Sequence, residues 1–385
     1  TYGGPVAEEE LFIRHTYLAT LAKLMSWMRL IEPRSFPDDE TLAKVLEGQF
    51  FKEQGIENFL EEDLFSWIAR GDIRENGIEL CRRLYNLLAK YNLRELSEDV
   101  LKSLYQELVD PKDRHDLGEY YTPDWLAHKM INALLDRDPQ GSILDPACGS
   151  GTFLYKAIRE KRERLGDSAK TLRHILDSII GIDIHPLAVI VAKTNYILAL
   201  GDLLKKRRYK VAIPIYLANA IKLPEYTTQQ SFEFQEWPYP GYEVKLEDKT
   251  VRLPEKLTEK SALYDEAIEA ARDFAIEIGE ATEGQFVNYL RIRFPRLARD
   301  LQLVSAFFRI AQTLRELIQA KRDTIWAFVL KNAYKPLLLR GRFDFVVGNP
   351  PWLSYRYVER GEYQEFLKKQ ITEEYNLLSG KAELI

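Results

Sequence analysis

Two apolar runs whose last residues lie 38 positions apart each end in an aspartate, and each runs into a helix start. Ser142-Ile143-Leu144-Asp145 leads through Pro146-Ala147-Cys148-Gly149-Ser150-Gly151 to a helix from Thr152, and Ile179-Ile180-Gly181-Ile182-Asp183 leads to a helix opened by Pro186, a residue suited to the first helical turn. A third run, Val211 to Leu217, stops just before Asn219, and a fourth, Phe343 to Val347, stops at Gly348-Asn349-Pro350-Pro351-Trp352. Strands alternating with helices predict an α/β fold with a parallel, doubly wound sheet. In such a sheet ligands sit outside the carboxyl ends of the strands, near the point where strand order reverses. Every unusual stretch of this sequence falls at such an end.

The rest of the chain is organised around that sheet. Residues 1–117 read as an N-terminal all-helical domain, with apolar residues at three and four spacing, as in Leu18, Leu21, Leu24, Met25 and Met28. Residues 118–223 form the first part of the α/β core, opening with Thr122-Pro123-Asp124 as a helix start with Thr122 as N-cap, and a helix to about Leu135. Residues 224–342 interrupt the rhythm as a largely helical insert. Within it, Val244 and Leu246 face Val251 and Leu253 in a hairpin, and basic helices follow. Residues 343–385 resume the core.

Composition excludes several classes. With 46% hydrophobic and 29% charged residues the chain is an ordinary globular one. Two cysteines, Cys81 and Cys148, support neither a disulfide framework nor a metal set, and no metal is expected; the usage fits a reducing, cytoplasmic compartment. The longest apolar stretch, Ile179 to Leu200, contains Asp183, His185, Pro186 and Lys193 and does not read as a membrane span; no signal peptide precedes Phe12. The chain begins Thr1-Tyr2-Gly3 without Met, as expected of a piece of a longer protein. The net charge is -5, yet from Phe286 to Arg342 twelve Lys and Arg stand against three acids. Such a run is commonly a solvated helix face, and equally suits a nucleic-acid backbone.

The glycines of DPACGSG let the backbone approach a bound group and aim helix N–H groups at it. The string lacks the third glycine of a dinucleotide fingerprint and the Lys-Ser/Thr pair of a P-loop. Asp183 is placed to accept the hydroxyls of a ribose, and Asn219 to bond an adenine edge. In Asn349-Pro350-Pro351-Trp352 two prolines hold the chain extended and remove two N–H donors. The Asn349 side-chain oxygen and the Pro350 carbonyl are left as converging acceptors beside the aromatic Trp352, a site for a planar ring bearing an amino group.

Taken together, Gly118-Glu119-Tyr120-Tyr121-Thr122-Pro123, DPACGSG at 145–151, Gly181-Ile182-Asp183 and NPPW at 349–352 resemble the gamma group of DNA adenine-N6 methyltransferases. The chain is most similar to modification domains of type I and type IIG restriction-modification proteins and related phage-defence methylases. The resemblance implies a Rossmann-like sheet and S-adenosylmethionine as cofactor. By it, Tyr121 and Thr122 contact the methionine part; Asp145, Ala147, Cys148, Gly149 and Gly151 form the cofactor loop; Asp183 takes the ribose; Ile184 and Phe153 pack near the adenine. Asn349, Pro350 and Trp352 are the catalytic residues, with Trp352 stacked on a flipped base; Tyr355 and Tyr357 read first as surface packing and second as further holds on the base. Double-stranded DNA is the implied partner, with a target-recognition domain or specificity subunit supplied elsewhere. Two departures stand out. Many relatives carry Asp where this chain has Asn219, and the sheet is incomplete at its C-terminal end. No nuclease arrangement is evident; Glu243-Val244-Lys245 alone is a chance match. The same fold also serves protein-glutamine and RNA-guanine methyltransferases, against which the GEYYTP segment, the helical leader and the insert argue; the other alternative is a cofactor-binding fragment without turnover.

Overall fold

The computed structural model describes residues 7–33, 35–59, 65–94, 100–108, 122–227, 240–246, 249–256, 261–278, 281–319, 325–352 and 361–375. Its leader consists of α1 (Ala7–Ile31), α2 (Asp39–Glu47), α3 (Gln49–Glu53), α4 (Arg74–Leu88) and α5 (Val100–Leu108). The core follows with α6 (Asp124–Leu135), β1 (Ile143–Asp145), α7 (Thr152–Leu165), α8 (Ala169–Ser178), β2 (Ile179–Asp183), α9 (Pro186–Leu200) and β3 (Ile215–Leu217). The insert holds β4 (Glu225–Thr227), β5 (Gly241–Leu246), β6 (Lys249–Pro254), α10 (Ser261–Glu277), α11 (Glu283–Arg293), α12 (Leu301–Gln319), α13 (Ile325–Ala333) and α14 (Lys335–Leu339). The core resumes with β7 (Phe345–Val346) and α15 (Glu362–Lys369).

The four core strands form one parallel sheet in the order β3-β2-β1-β7. Order reverses between β1 and β7, so the loops after Asp145 and after Val347 leave the sheet side by side. This is the crevice position for a ligand in a doubly wound sheet. The helix α9 is buried on nearly its whole circumference, as a helix hydrophobic all round must be. The segment Pro186–Lys206 is long and apolar enough to cross a membrane on those two counts, but it is mostly buried inside the protein. One side faces the sheet and the other takes α1. There the Ser26 hydroxyl donates to Thr194 Oγ1 at 3.1 Å, and the Thr194 hydroxyl reaches the Ala22 carbonyl at 3.3 Å. Leader and sheet therefore share a single apolar core running from Leu18 and Leu24 through Phe51 and Ile143 to Val347. The insert has its own core, from Val251 through Phe286 and Phe307 to Leu338.

Several local expectations are revised. The helix at Asp124 has Pro123, not Thr122, as its N-cap, and no side chain caps it. The third strand is shorter than Val211 to Leu217. Only Ile215–Leu217 joins β2, while Val211 pairs with Ile56 of the leader. The Asn58 side chain bonds both backbone groups of Ile213, at 2.6 and 2.8 Å, in place of a neighbouring strand. This covers part of an otherwise open edge. In the insert hairpin Val244 opposes Val251, but Leu246 opposes Lys249 and Leu253 opposes Tyr242. Glu225–Thr227 adds a third strand that sequence periodicity did not signal. The helix after Pro186 leaves the α-form at Leu200, because Gly201 adopts φ +51° and a 3-10 segment carries on to Lys206.

Candidate active site

The loops leaving the carboxyl ends of the four parallel strands meet around a cavity of about 640 Å3. The β1 loop supplies Asp145, Ala147, Cys148 and Gly149; the β2 end supplies Asp183, Ile184 and His185; the β3 end supplies Asn219 and Ile221; the β7 end supplies Asn349, Pro350 and Pro351. Thr122 and Phe153 also line it. Tyr121 lies outside the described residues, as do Gly118 to Tyr120, Tyr355 and Tyr357. Gly151 and Trp352 are placed beside the cavity and not on its wall.

The β1 loop folds as it does because Gly149 and Gly151 take left-handed φ of +54° and +84°, which costs an L-residue about 1–2 kcal/mol. Gly151 serves packing. A Cβ there would sit 3.2 Å from the Ala192 Cβ, so its absence lets the start of α7 approach α9. The Cys148 N–H donates to the Ile182 carbonyl at 2.9 Å, tying the loop to β2. The Cys148 thiol is buried, and burial pushes its pKa well up, so it is a packing group and not a thiolate nucleophile.

Two carboxyl groups dominate the electrostatics. Asp145 is buried, and its Oδ1 accepts from the Ala147 N–H at 3.2 Å. Burial pushes its pKa up to about 8, against the pull of that N–H, and the nearby Asp183 charge adds to the rise. Asp183 accepts from the Gly149 N–H at 2.8 Å and from the His185 N–H at 2.9 Å. Burial still raises its pKa over the effect of these N–H bonds and of one from Ile184. A carboxylate offers about four acceptor positions, so Asp183 can still take a hydroxyl while it shapes the loop. Two adjoining acids short of water make a place where a cationic ligand is favoured.

The walls suit a flat apolar ring as well. Ile184 is 66% exposed and Ile221 57% exposed, both facing the cavity from neighbouring strand ends. Thr122 is fixed from the leader, since the Lys102 ammonium reaches its carbonyl at 3.3 Å and also bonds the Asp124 carboxylate. Asn219 lines the cavity but does not present its oxygen. Oδ1 accepts from the Ile221 and Lys222 N–H groups at 2.9 and 2.8 Å, closing a turn. Both lone pairs are thereby used, which leaves the Asn219 amide a donor rather than the acceptor expected from sequence.

At the β7 end, the Trp352 indole N–H donates to Asn349 Oδ1 at 2.9 Å, and the ring is 73% exposed. An indole only donates, so this bond fixes which end of the Asn349 amide is the oxygen. Gly348, just before it, packs on the β1 loop: a Cβ there would lie 2.9 Å from Asp145 Oδ1.

Sequence reading missed Leu11, His15, His185, Ile221 and Tyr363, all of which line the cavity. No local pattern marks Leu11 and His15, which arrive on α1 from the far end of the chain. Among the described residues no group of three His, Cys, Asp or Glu could hold a metal. The basic run of the insert is partly used up internally. Arg293 pairs with Glu277 at 2.8 Å, Lys331 with Glu269 at 2.8 Å, and Lys335 with Asp265 at 2.6 Å. Tyr334 is buried, its hydroxyl bonded to the Tyr242 carbonyl, and so is no surface for a ligand. The Trp326 side chain lies outside the described residues. Arg291, Arg296 and Arg299 are exposed.

Comparison with known proteins places these features in context. The Eco57I restriction-modification methylase family matches residues 177–380, and the N-6 DNA Methylase family matches residues 96–251. The type I restriction enzyme MjaVII methylase subunit of Methanocaldococcus jannaschii is 27% identical over 157 residues, covering 40% of this chain and 24% of its own length. The MjaIX methylase subunit of the same organism is 44% identical over 88 residues, 22% of this chain and 14% of its own. The adenine-specific methyltransferase PglX of Streptomyces coelicolor is 33% identical over 153 residues, 35% of this chain and 12% of its own. The chain thus spans about a quarter or less of the length of these relatives.

Proposed function

The chain belongs to the Eco57I restriction-modification methylase family, and from that premise we propose that it methylates N6 of an adenine flipped out of duplex DNA. The methyl donor in this reading is S-adenosylmethionine, held on a Rossmann-like sheet, and the setting is a prokaryotic cytoplasmic restriction-modification or phage-defence system. The observation that carries the reading is the meeting of Asp145 and Asn349 around one cavity, on the neighbouring strands β1 and β7.

When bound, S-adenosylmethionine supplies an electrophilic methyl group on a sulfonium. The residues around it do the rest. Asp183 holds ribose hydroxyls, and Ile184, Ile221 and Phe153 take the apolar faces of the nucleoside. Asp145, Gly149 and Thr122 line the part that receives the amino-acid end, and the two acids favour its positive charge. On the acceptor side, Asn349 Oδ1 and the Pro350 carbonyl accept the hydrogens of the exocyclic amine. They draw its lone pair out of the ring and toward the donor. This is catalysis by positioning and preorganised acceptors, with no base needed in advance. Flipping the base out of the stack costs a few kcal/mol. The exposed Trp352 ring is available as a stacking face, and its N–H holds Asn349 in the accepting orientation. The exposed Arg291, Arg296 and Arg299 are suited to phosphates, and sequence choice falls to a target-recognition domain or specificity subunit.

The test is transfer of a labelled methyl group from S-adenosylmethionine to duplex DNA, RNA and protein offered side by side, with the parent protein and its partner subunits. Label recovered as N6-methyldeoxyadenosine supports the reading. Label in RNA guanine or protein glutamine, or donor binding without any transfer, refutes it.

A further inference from the structure

The wall of the cavity contains a feature that neither the strand ends nor the glycine loop explains. Helix α1 lies along α9 and its amino-terminal part reaches the cavity with Leu11 and His15. There His15 meets His185, the residue just before α9, with ring centroids 5.3 Å apart and planes at 86°. His15 is 1% exposed and His185 half-buried. The two rings come from positions 170 residues apart and meet immediately beside Asp183 and Ile184.

We propose that His15 is a donor-binding residue contributed by the leader, which with His185 forms a neutral polar patch against the nucleoside half of S-adenosylmethionine. This rests on the cavity being the donor site. Burial drops both imidazoles to a pKa of about 4, and the neighbouring His185 adds to the drop at His15. At neutral pH each ring therefore has one donor and one acceptor nitrogen and no charge. A neutral pair suits this position: it can bond a sugar hydroxyl or an adenine edge without repelling a sulfonium. It also makes the leader part of the donor site, so that the packing of α1 on α9 and the affinity for the donor are coupled.

The experiment compares wild type and His15→Phe in the intact parent protein. Calorimetric titration is done with S-adenosylmethionine, S-adenosylhomocysteine and 5′-methylthioadenosine, which lacks the amino-acid end. Phe keeps the ring and its edge contact with His185 and removes the nitrogens. His15→Phe is expected to weaken all three ligands by roughly tenfold, the worth of one buried hydrogen bond, with an unchanged thermal midpoint. Wild-type affinities for all three in His15→Phe overturn the inference. Wild-type protein that binds none of them overturns the donor-site reading, and the inference with it. If His15→Phe does not fold, imidazole nitrogen shifts of His15 in wild type on adding S-adenosylhomocysteine read the same contact. A shift supports it, and unmoved signals overturn it.

Discussion

Gly348 offers a direct probe of how the acceptor strand and the donor loop are held together. Its φ is not left-handed, so Gly348→Ala imposes no backbone penalty and tests space alone. The added methyl would lie 2.9 Å from Asp145 Oδ1 and 3.5 Å from Pro146 Cδ, where ordinary contact begins near 3.4 Å. Neither side can retreat easily. The strand is pinned by the Phe345 N–H on the Ser142 carbonyl and the Val347 N–H on the Leu144 carbonyl, both at 2.9 Å. Asp145 is buried and bonded to the Ala147 N–H. The carboxyl group must therefore turn and give up that bond. Overpacking of this kind costs about 1–3 kcal/mol, and the lost bond adds about 0.5–1.5 kcal/mol. Where that distortion falls on the donor loop, affinity for S-adenosylmethionine drops by roughly 10- to 100-fold. Titration calorimetry reads the affinity, and a double-mutant cycle reads the cause. Replacing Asp145 by Ala makes room for the methyl, so the two losses should not add. Wild-type affinity in Gly348→Ala, or additive losses in the double mutant, refutes the steric mechanism.

Three further outcomes are expected. Asn349→Ala should lower methyl transfer by at least about 10- to 100-fold, from loss of an acceptor worth ~1–3 kcal/mol in the transition state, while donor affinity stays put; equal transfer rates would remove Asn349 from catalysis. Asp145, with its pKa raised to about 8, favours the folded, unliganded protein most below the ordinary carboxyl pKa near 4, and that contribution is lost as pH rises toward 8. A cationic ligand favours its ionised form, so affinity for S-adenosylmethionine should climb between pH 6 and 8 with release of a proton, by at most about tenfold per unit; a flat profile in buffers of different ionisation heat contradicts this. Reversing the charge of exposed Arg291, Arg296 and Arg299 should flatten the salt dependence of DNA affinity by about one slope unit per lost phosphate contact, whereas reversing Arg293, already committed to Glu277, should mainly destabilise the insert; an unchanged slope would make this face merely solvated.

Much of the core is readable in the chain because its strands are short, fully apolar and closed by a polar residue. Ile179–Asp183 and the helix Asp124–Leu135 fall where periodicity puts them. Residues that act through the loops were harder. Asn219 has the right position at a strand end, but an Asn two residues before a backbone N–H closes a turn with its own oxygen. Trp352 is named by its motif, but its bond to Asn349 depends on how the two prolines direct the chain. The contribution of α1 was out of reach of local pattern altogether. His15 looks like any helical residue until α1 is laid along α9, and that packing is a tertiary outcome of one shared core. The insert shows the same limit: charge counting gave its basic balance, but that Arg293, Lys331 and Lys335 are held by Glu277, Glu269 and Asp265 of a neighbouring helix is a tertiary outcome.

The central claim is that one cavity holds the methyl donor on the β1 and β2 loops with its reactive end toward Asn349. A crystal structure of the parent protein with sinefungin, an unreactive donor analogue, tests it most directly. Ribose hydroxyls on Asp183, the adenine between Ile184 and Ile221, and the amine that replaces the sulfonium methyl aimed at Asn349 are the predicted result. Analogue bound elsewhere, or reversed so that its amino-acid end meets Ile184 and Ile221, would contradict it.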